Sequence, residues 1–154
     1  MARIEIDAEV FDDLDRFVDH MTTLDVDNVD IRIEELIAAI GVLAHSPQIG
    51  PPVQSGQREL VIGSGTRGYV ALYRYVEVID TVFVLAVKGQ REAGYKRRRV
   101  QDQRDFLARG LASAERSRVS GTSVDAATVV SKLKRRLAKA RGGRPSRKPV
   151  PRRR

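Results

Sequence analysis

The sequence predicts an α+β fold, a two-helix hairpin packed on a small antiparallel sheet and followed by a helical basic extension. Three observations carry that expectation. Apolar residues recur at helical spacing in two stretches before Ser46, and β-rich runs separated by glycine turns follow. The charge then reverses sign. Residues 1–96 carry 9 Lys/Arg against 16 Asp/Glu, a net of −7, whereas residues 97–154 carry 19 against 4, a net of +15. The overall charge of +8 over 154 residues therefore hides an acidic body joined to a basic extension.

The first element is a short strand over Ala2–Ile6. Val10, Leu14, Phe17, Val18 and Met21 then fall on one helical face, and Asp12, Asp13, Asp15 and Asp19 are expected on the other. The Asp-rich first turn suits the positive end of the helix dipole. Ile33, Leu36, Ile37, Ile40 and Leu43 make a second stripe. It ends before Ser46-Pro47, because the residue before proline is pushed out of the α region. The two helices are expected to pair antiparallel.

Ile49-Gly-Pro-Pro-Val-Gln-Ser-Gly56 reads as a loop. Strands are expected over 57–62, 68–76 and 80–88. Gly63-Ser-Gly-Thr-Arg-Gly68 forms a hairpin turn; strands on both sides argue against a phosphate loop. In the middle strand Tyr69, Ala71, Tyr73 and Tyr75 share one face, and Val70, Leu72, Arg74 and Val76 share the other. The polar run Lys88-Gly-Gln-Arg-Glu-Ala-Gly-Tyr95 ends the body, where a sheet edge presents side chains to a partner.

The texture changes beyond Tyr95. Phe106, Leu107, Leu111 and Ala114 form one stripe, and Val129, Val130, Leu133, Leu137 and Ala140 form another. Lys132, Lys134, Arg135, Arg136 and Lys139 fill most of the second helix's remaining surface. Ser120-Gly-Thr-Ser123 separates the two, and Asp125 is placed to cap the second. The extension has three readings: a phosphate-contacting nucleic-acid binder, a basic helix on an anionic membrane, or a segment docked on the acidic body. The last uses both the stripe and the charge, and is preferred for residues 101–141. The Pro/Arg-rich tail 142–154 has no stripe and is expected to be disordered.

Composition excludes several chemistries. The chain has no Cys and no Trp, so it has no disulfide, thiolate metal site or Cys nucleophile. His20 and His45 lie in unrelated helical contexts, so neither a metal nor another cofactor is expected. The opening Met1-Ala-Arg-Ile-Glu-Ile lacks the apolar core of a signal peptide, and no apolar run approaches membrane length. A soluble, cytoplasmic protein without a membrane partner is the expectation.

The words Arg58-Glu-Leu-Val-Ile, Gly68-Tyr-Val-Ala-Leu-Tyr73 and Gln90-Arg-Glu-Ala-Gly-Tyr95 resemble the RelE/ParE family of bacterial type II toxins, in order and spacing. The resemblance covers residues 2–95 and implies a toxin domain over 1–97. Asp105-Phe-Leu-Ala-Arg-Gly-Leu-Ala-Ser and Val129-Val-Ser-Lys-Leu-Lys-Arg-Arg-Leu look like the toxin-wrapping part of an antitoxin. That second likeness implies antitoxin-like packing by Phe106, Leu107, Leu111, Val129, Leu133 and Leu137 within residues 98–141.

RelE-type relatives cut mRNA on the ribosome, which needs a base, an acid and cations around the phosphate. The resemblance implies that Arg58, Lys88, Arg91 and Tyr95 would supply these. Arg58 or Arg91 would clamp the phosphate, Lys88 would stabilise charge or act as base, and Tyr95 would donate a proton or stack on a base. Val70 and Gly89 depart from the ribonuclease pattern, and the body is acidic. A ParE-type inhibitor that binds DNA gyrase without catalysis is the alternative. A non-enzymatic nucleic-acid-binding regulator on a decayed toxin fold is a third reading. Implied partners are an antitoxin in cis or in trans, the ribosome with its mRNA or DNA gyrase, and DNA at the basic tail. The plainer expectations are that Arg91 and Glu92 pair with surface charges and that the strand tyrosines are packing.

Overall fold

The computed structural model describes residues 1–24, 28–63, 68–95 and 104–112, together with Ser131 and Arg135. β1 (Arg3–Ile6) leads directly into α1 (Ala8–Thr23), whose N-cap is Asp7. The Asp7 carboxylate accepts the Glu9 N–H at 3.0 Å, satisfying one of the four donors that a helix start leaves open. Starting at Ala8 leaves Glu9 as the acidic residue of the first turn, so the aspartates expected at the dipole lie deeper in the helix. Val10, Leu14, Phe17 and Met21 are buried as their spacing predicts.

α2 (Val29–Val42) follows, entered through Asn28 in the left-handed conformation at φ 61°. Ile33, Leu36, Ile37, Ile40 and Leu43 all join the main core. The helix gives way to turns before Ser46-Pro47, as expected.

β2 (Arg58–Ile62), β3 (Tyr69–Val76) and β4 (Thr81–Gly89) form an antiparallel meander. The four-stranded sheet has the order β1-β4-β3-β2, and β1 pairs with β4 in parallel. The sheet is therefore mixed. Its antiparallel part is the one expected from sequence, and β4 comes to lie beside β1 after the chain has passed through both helices. Of the 63–68 turn, residues 64–67 lie outside the described residues; Gly63 adopts φ 74°.

A bulge in β4 sets the faces. Pairing passes from Leu72↔Ala86 to Tyr73↔Val84, which leaves Leu85 as the extra residue. Val82, Val84 and Val87 consequently face the helices, while Phe83, Leu85 and Ala86 face the other way. All of Thr81–Val87 is buried, the signature of a central strand covered on both sides.

One expectation fails here. Asp13, assigned by spacing to the polar face of α1, is only 3 % exposed. Its Oδ2 accepts the Val87 N–H at 3.0 Å, beyond Val84, the last β4 residue that pairs with β1, where a buried backbone donor needs a partner.

The second face of the sheet is covered by α3, residues 104–112. Phe106 meets Phe83 edge to face, with centroids 5.8 Å apart and planes at 90°. Gly110 is buried against the Phe83 ring, where a Cβ would clash with it. Leu107 packs on the same cluster, and Leu111 is 39 % exposed. Val129, Leu133, Leu137, the Ser120–Ser123 break, Asp125 and the 142–154 tail lie outside the described residues.

Candidate functional site

Glu59 lies on the sheet face that α3 covers. On β2, Leu60 and Ile62 pack into the helix-side core, so Glu59 and Val61 project from the opposite face. Register aligns Glu59 with Leu72 and Ala86, and Val70 with Lys88. Tyr95 comes from the segment beyond β4 and packs on the cluster of Leu72, Phe83, Leu85 and Ala86. Its hydroxyl donates to Glu59 Oε1 at 2.9 Å, and the Lys88 ammonium stands 4.7 Å from its ring centroid. Lys88, Tyr95 and Glu59 thus form one polar cluster bordering the apolar surface beneath α3.

Two elements hold the approach to Tyr95. The Gln90 N–H donates to Gly68 O at 2.9 Å, which prolongs the β3–β4 pairing past the strand end. The Arg16 guanidinium on α1 holds the Glu92 carboxylate through both oxygens, at 3.3 Å to Oε2, and also reaches Asp13 at 3.5 Å. The same Arg16 lies over the Phe17 ring at 4.7 Å. The expected surface pairing is therefore real for Glu92, whose partner is on the helix layer.

Arg58 and Arg91 stand apart from this cluster. Arg58 shares the helix-side face with Leu60, and its guanidinium donates to the Gly50 carbonyl at 2.7 Å and the Gln48 carbonyl at 3.2 Å. It ties down the 46–53 loop. Gly50 is the tight point of that loop, because a Cβ there would run into the Glu59 carbonyl. Arg91 is exposed on the turn after β4. Of the four residues proposed from sequence, Lys88 and Tyr95 come together, and Arg58 and Arg91 do not join them.

The other tyrosines are packing. Tyr73 is fully buried and accepts the Gly50 N–H at 2.9 Å. Tyr69 stacks obliquely on Phe17 at 4.9 Å, and Tyr75 donates to Asp80 at 2.9 Å. His20 and His45 are exposed. No group of three or more His, Cys, Asp or Glu among the described residues is placed to hold a metal ion. No helix among them is long and apolar enough to cross a membrane.

Burial, then the hydrogen bond to Glu59, pushes the Tyr95 phenol far above its ordinary value. It remains a neutral donor at any physiological pH. Tyr69 is also raised, chiefly by burial, and Tyr75 by its bond to Asp80. A folded-state pKa above the unfolded value of about 10 gives stability that is complete below pH 10. That stability is lost as pH rises further. Tyr95→Phe is expected to lower stability by about 1 kcal/mol at pH 7 and to flatten the fall in Tm above pH 10. A Tm series from pH 8 to 11 on both proteins checks this; parallel curves would assign the alkaline loss to other groups.

Sequence reasoning missed two residues here, Glu59 and Asp13. Glu59 stands in the quoted Arg58-Glu-Leu-Val-Ile word, and strand alternation alone would have placed it opposite Leu60. Nothing in the pattern marks Asp13 among its neighbours Asp12 and Asp15.

Two comparisons bear on what this arrangement does. Residues 4–94 match the family model described as "ParE toxin of type II toxin-antitoxin system, parDE". No curated protein matches the chain.

Proposed function

The chain belongs to the ParE toxin family of type II toxin–antitoxin systems, and from that membership we propose a toxin that acts by binding, held in check by its own C-terminal segment. Toxins of such systems have an antitoxin partner. In this reading residues 98–141 take part of that role in cis, and DNA gyrase is the proposed target, a choice that family membership supports.

The observation that carries this reading is α3 on the sheet. Phe106 and Gly110 close over Phe83, beside Lys88, Tyr95 and Glu59. A face that carries a cation, an aromatic ring and a carboxylate around an apolar centre has the make-up of a protein-binding surface. It is poorly equipped for RNA cleavage. Arg58 is committed to loop carbonyls on the other face, Arg91 is exposed on a turn, and the Tyr95 hydroxyl is a weak acid already bonded to Glu59. Phosphate clamping and proton transfer therefore lack a converging set among the described residues.

The test uses the full chain with α3 displaced by Gly110→Leu, added to purified gyrase with relaxed plasmid and, separately, to ribosomes with bound mRNA. Loss of supercoiling with intact mRNA supports the binding toxin. Cleavage of the mRNA with normal supercoiling replaces it with the ribonuclease reading.

A further inference from the structure

α2 is apolar on more than its inner face. Ile31, Ala38 and Val42 are exposed, Ile31 at 53 % and Val42 at 44 %. At 100° per residue the three fall within a narrow stripe on the outer side of the helix, away from Ile33, Leu36, Ile37 and Ile40. Glu34 and Glu35, both exposed, stand one on each side of it. Surface helices ordinarily carry polar residues there, so an exposed apolar stripe that includes a small residue and is flanked by carboxylates calls for an occupant.

The chain itself contains a segment of the complementary kind. Val129, Leu133, Leu137 and Ala140 recur at helical spacing, with Lys132, Lys134, Arg136 and Lys139 around them. Ser131 and Arg135 are helical and exposed, and both positions lie opposite Leu133 on a helical wheel. Ile31 to Val42 and Val129 to Ala140 cover the same number of turns, about 16 Å each at 1.5 Å per residue. The link from α3 is long enough. Residues 113–128 can span roughly 50 Å when extended, more than the two layers of the domain are thick.

We propose that residues 129–140 dock in cis along the outer face of α2, with Leu133 and Leu137 over Ala38 and the flanking lysines and arginines against Glu34 and Glu35. The extension then clasps the toxin body on both sides, α3 on the sheet and the second helix on the helix layer. Charge sets the pairing: the acidic body at −7 faces a segment whose polar surface is almost wholly basic. This goes beyond the function proposed above. α3 can restrain the sheet face whether or not the second helix docks, so the two readings fail separately.

The absence of cysteine makes a direct test simple. In the full chain, Ala38→Cys with Leu133→Cys introduces a single pair of thiols. The control pair is Val78→Cys with Leu133→Cys, since Val78 is 84 % exposed beyond β3. Under mild oxidation at low protein concentration, the first pair is expected to close within one chain at least tenfold faster than the control. Adding Glu34→Lys and Glu35→Lys should remove that advantage. Equal rates for the two pairs would overturn the proposal, as would a bond that forms only between chains.

Discussion

Gly110→Leu is expected to lift α3 from the sheet while leaving the toxin body folded. A Cβ at residue 110 would overlap the Phe83 ring, and Phe83 is fully buried on the sheet face that α3 covers. Packed without exposure among Leu72, Leu85 and Ala86, the ring resists displacement, and the helix is expected to lift instead. Helix propensity works in the opposite direction, because leucine favours a helix over glycine by roughly 0.8 kcal/mol. Any loss of order at residues 104–112 therefore reports lost docking, since the substitution strengthens the helix itself. The edge-to-face contact with Phe106, about 1 kcal/mol beyond its buried area, is lost as well. The readout is tryptic cleavage at Arg104 and Arg109, both exposed on α3. It should rise about tenfold or more, corresponding to roughly 1.4 kcal/mol of lost docking. Unchanged cleavage would mean that Gly110 does not seat the helix.

Asp13→Ala should produce the largest loss of stability of any single substitution at a polar residue in the body. The carboxylate is buried, accepts the Val87 N–H at 3.0 Å and holds Arg16 at 3.5 Å. Alanine leaves a buried backbone donor without its partner at the β4 bulge and weakens the grip of α1 on Glu92. The cost is about 3 kcal/mol, lowering Tm by roughly 10 °C. Asp13→Asn keeps an acceptor near Val87 and should cost about 1 kcal/mol. If thermal unfolding finds the two variants equally destabilised, the charge on Asp13 matters more than its bond to Val87. By contrast, Arg16 with Glu92 is a partly exposed pair, and breaking it should cost no more than about 1 kcal/mol.

Periodicity was enough for the helices. Every residue of the two inward stripes is where a 3.6-residue repeat puts it, because burial of one face dominates helix placement. The strands were legible from the β-rich runs and the glycine turns. The bulge was not. Strict alternation along β4 misassigns every residue after Leu85, and only the pairing with β3 shows where the phase changes. Asp13 was equally hidden: its burial answers the Val87 N–H, which lies beyond the last β4 residue that pairs with β1.

The meeting of Lys88 and Tyr95 is legible because they lie close in sequence at and beyond the end of one strand. Arg58 stands in one of the family-like words, which places it near the site by sequence alone. Its actual work, fixing Gln48 and Gly50, depends on how a loop folds back on β2, which local pattern does not encode. The stripe through Phe106 and Leu107 identified a docking segment, and the structure supplies its seat on Phe83, Leu85 and Leu72.

Growth reports whether the ParE-family toxin body is restrained by its own extension. The full chain and its Gly110→Leu variant are induced side by side at equal protein levels in cells without a separate antitoxin. Normal growth is expected with the unaltered chain and arrest with the variant. Arrest by both to the same extent, or by neither when the variant is folded and α3 is shown to be displaced, would contradict that restraint.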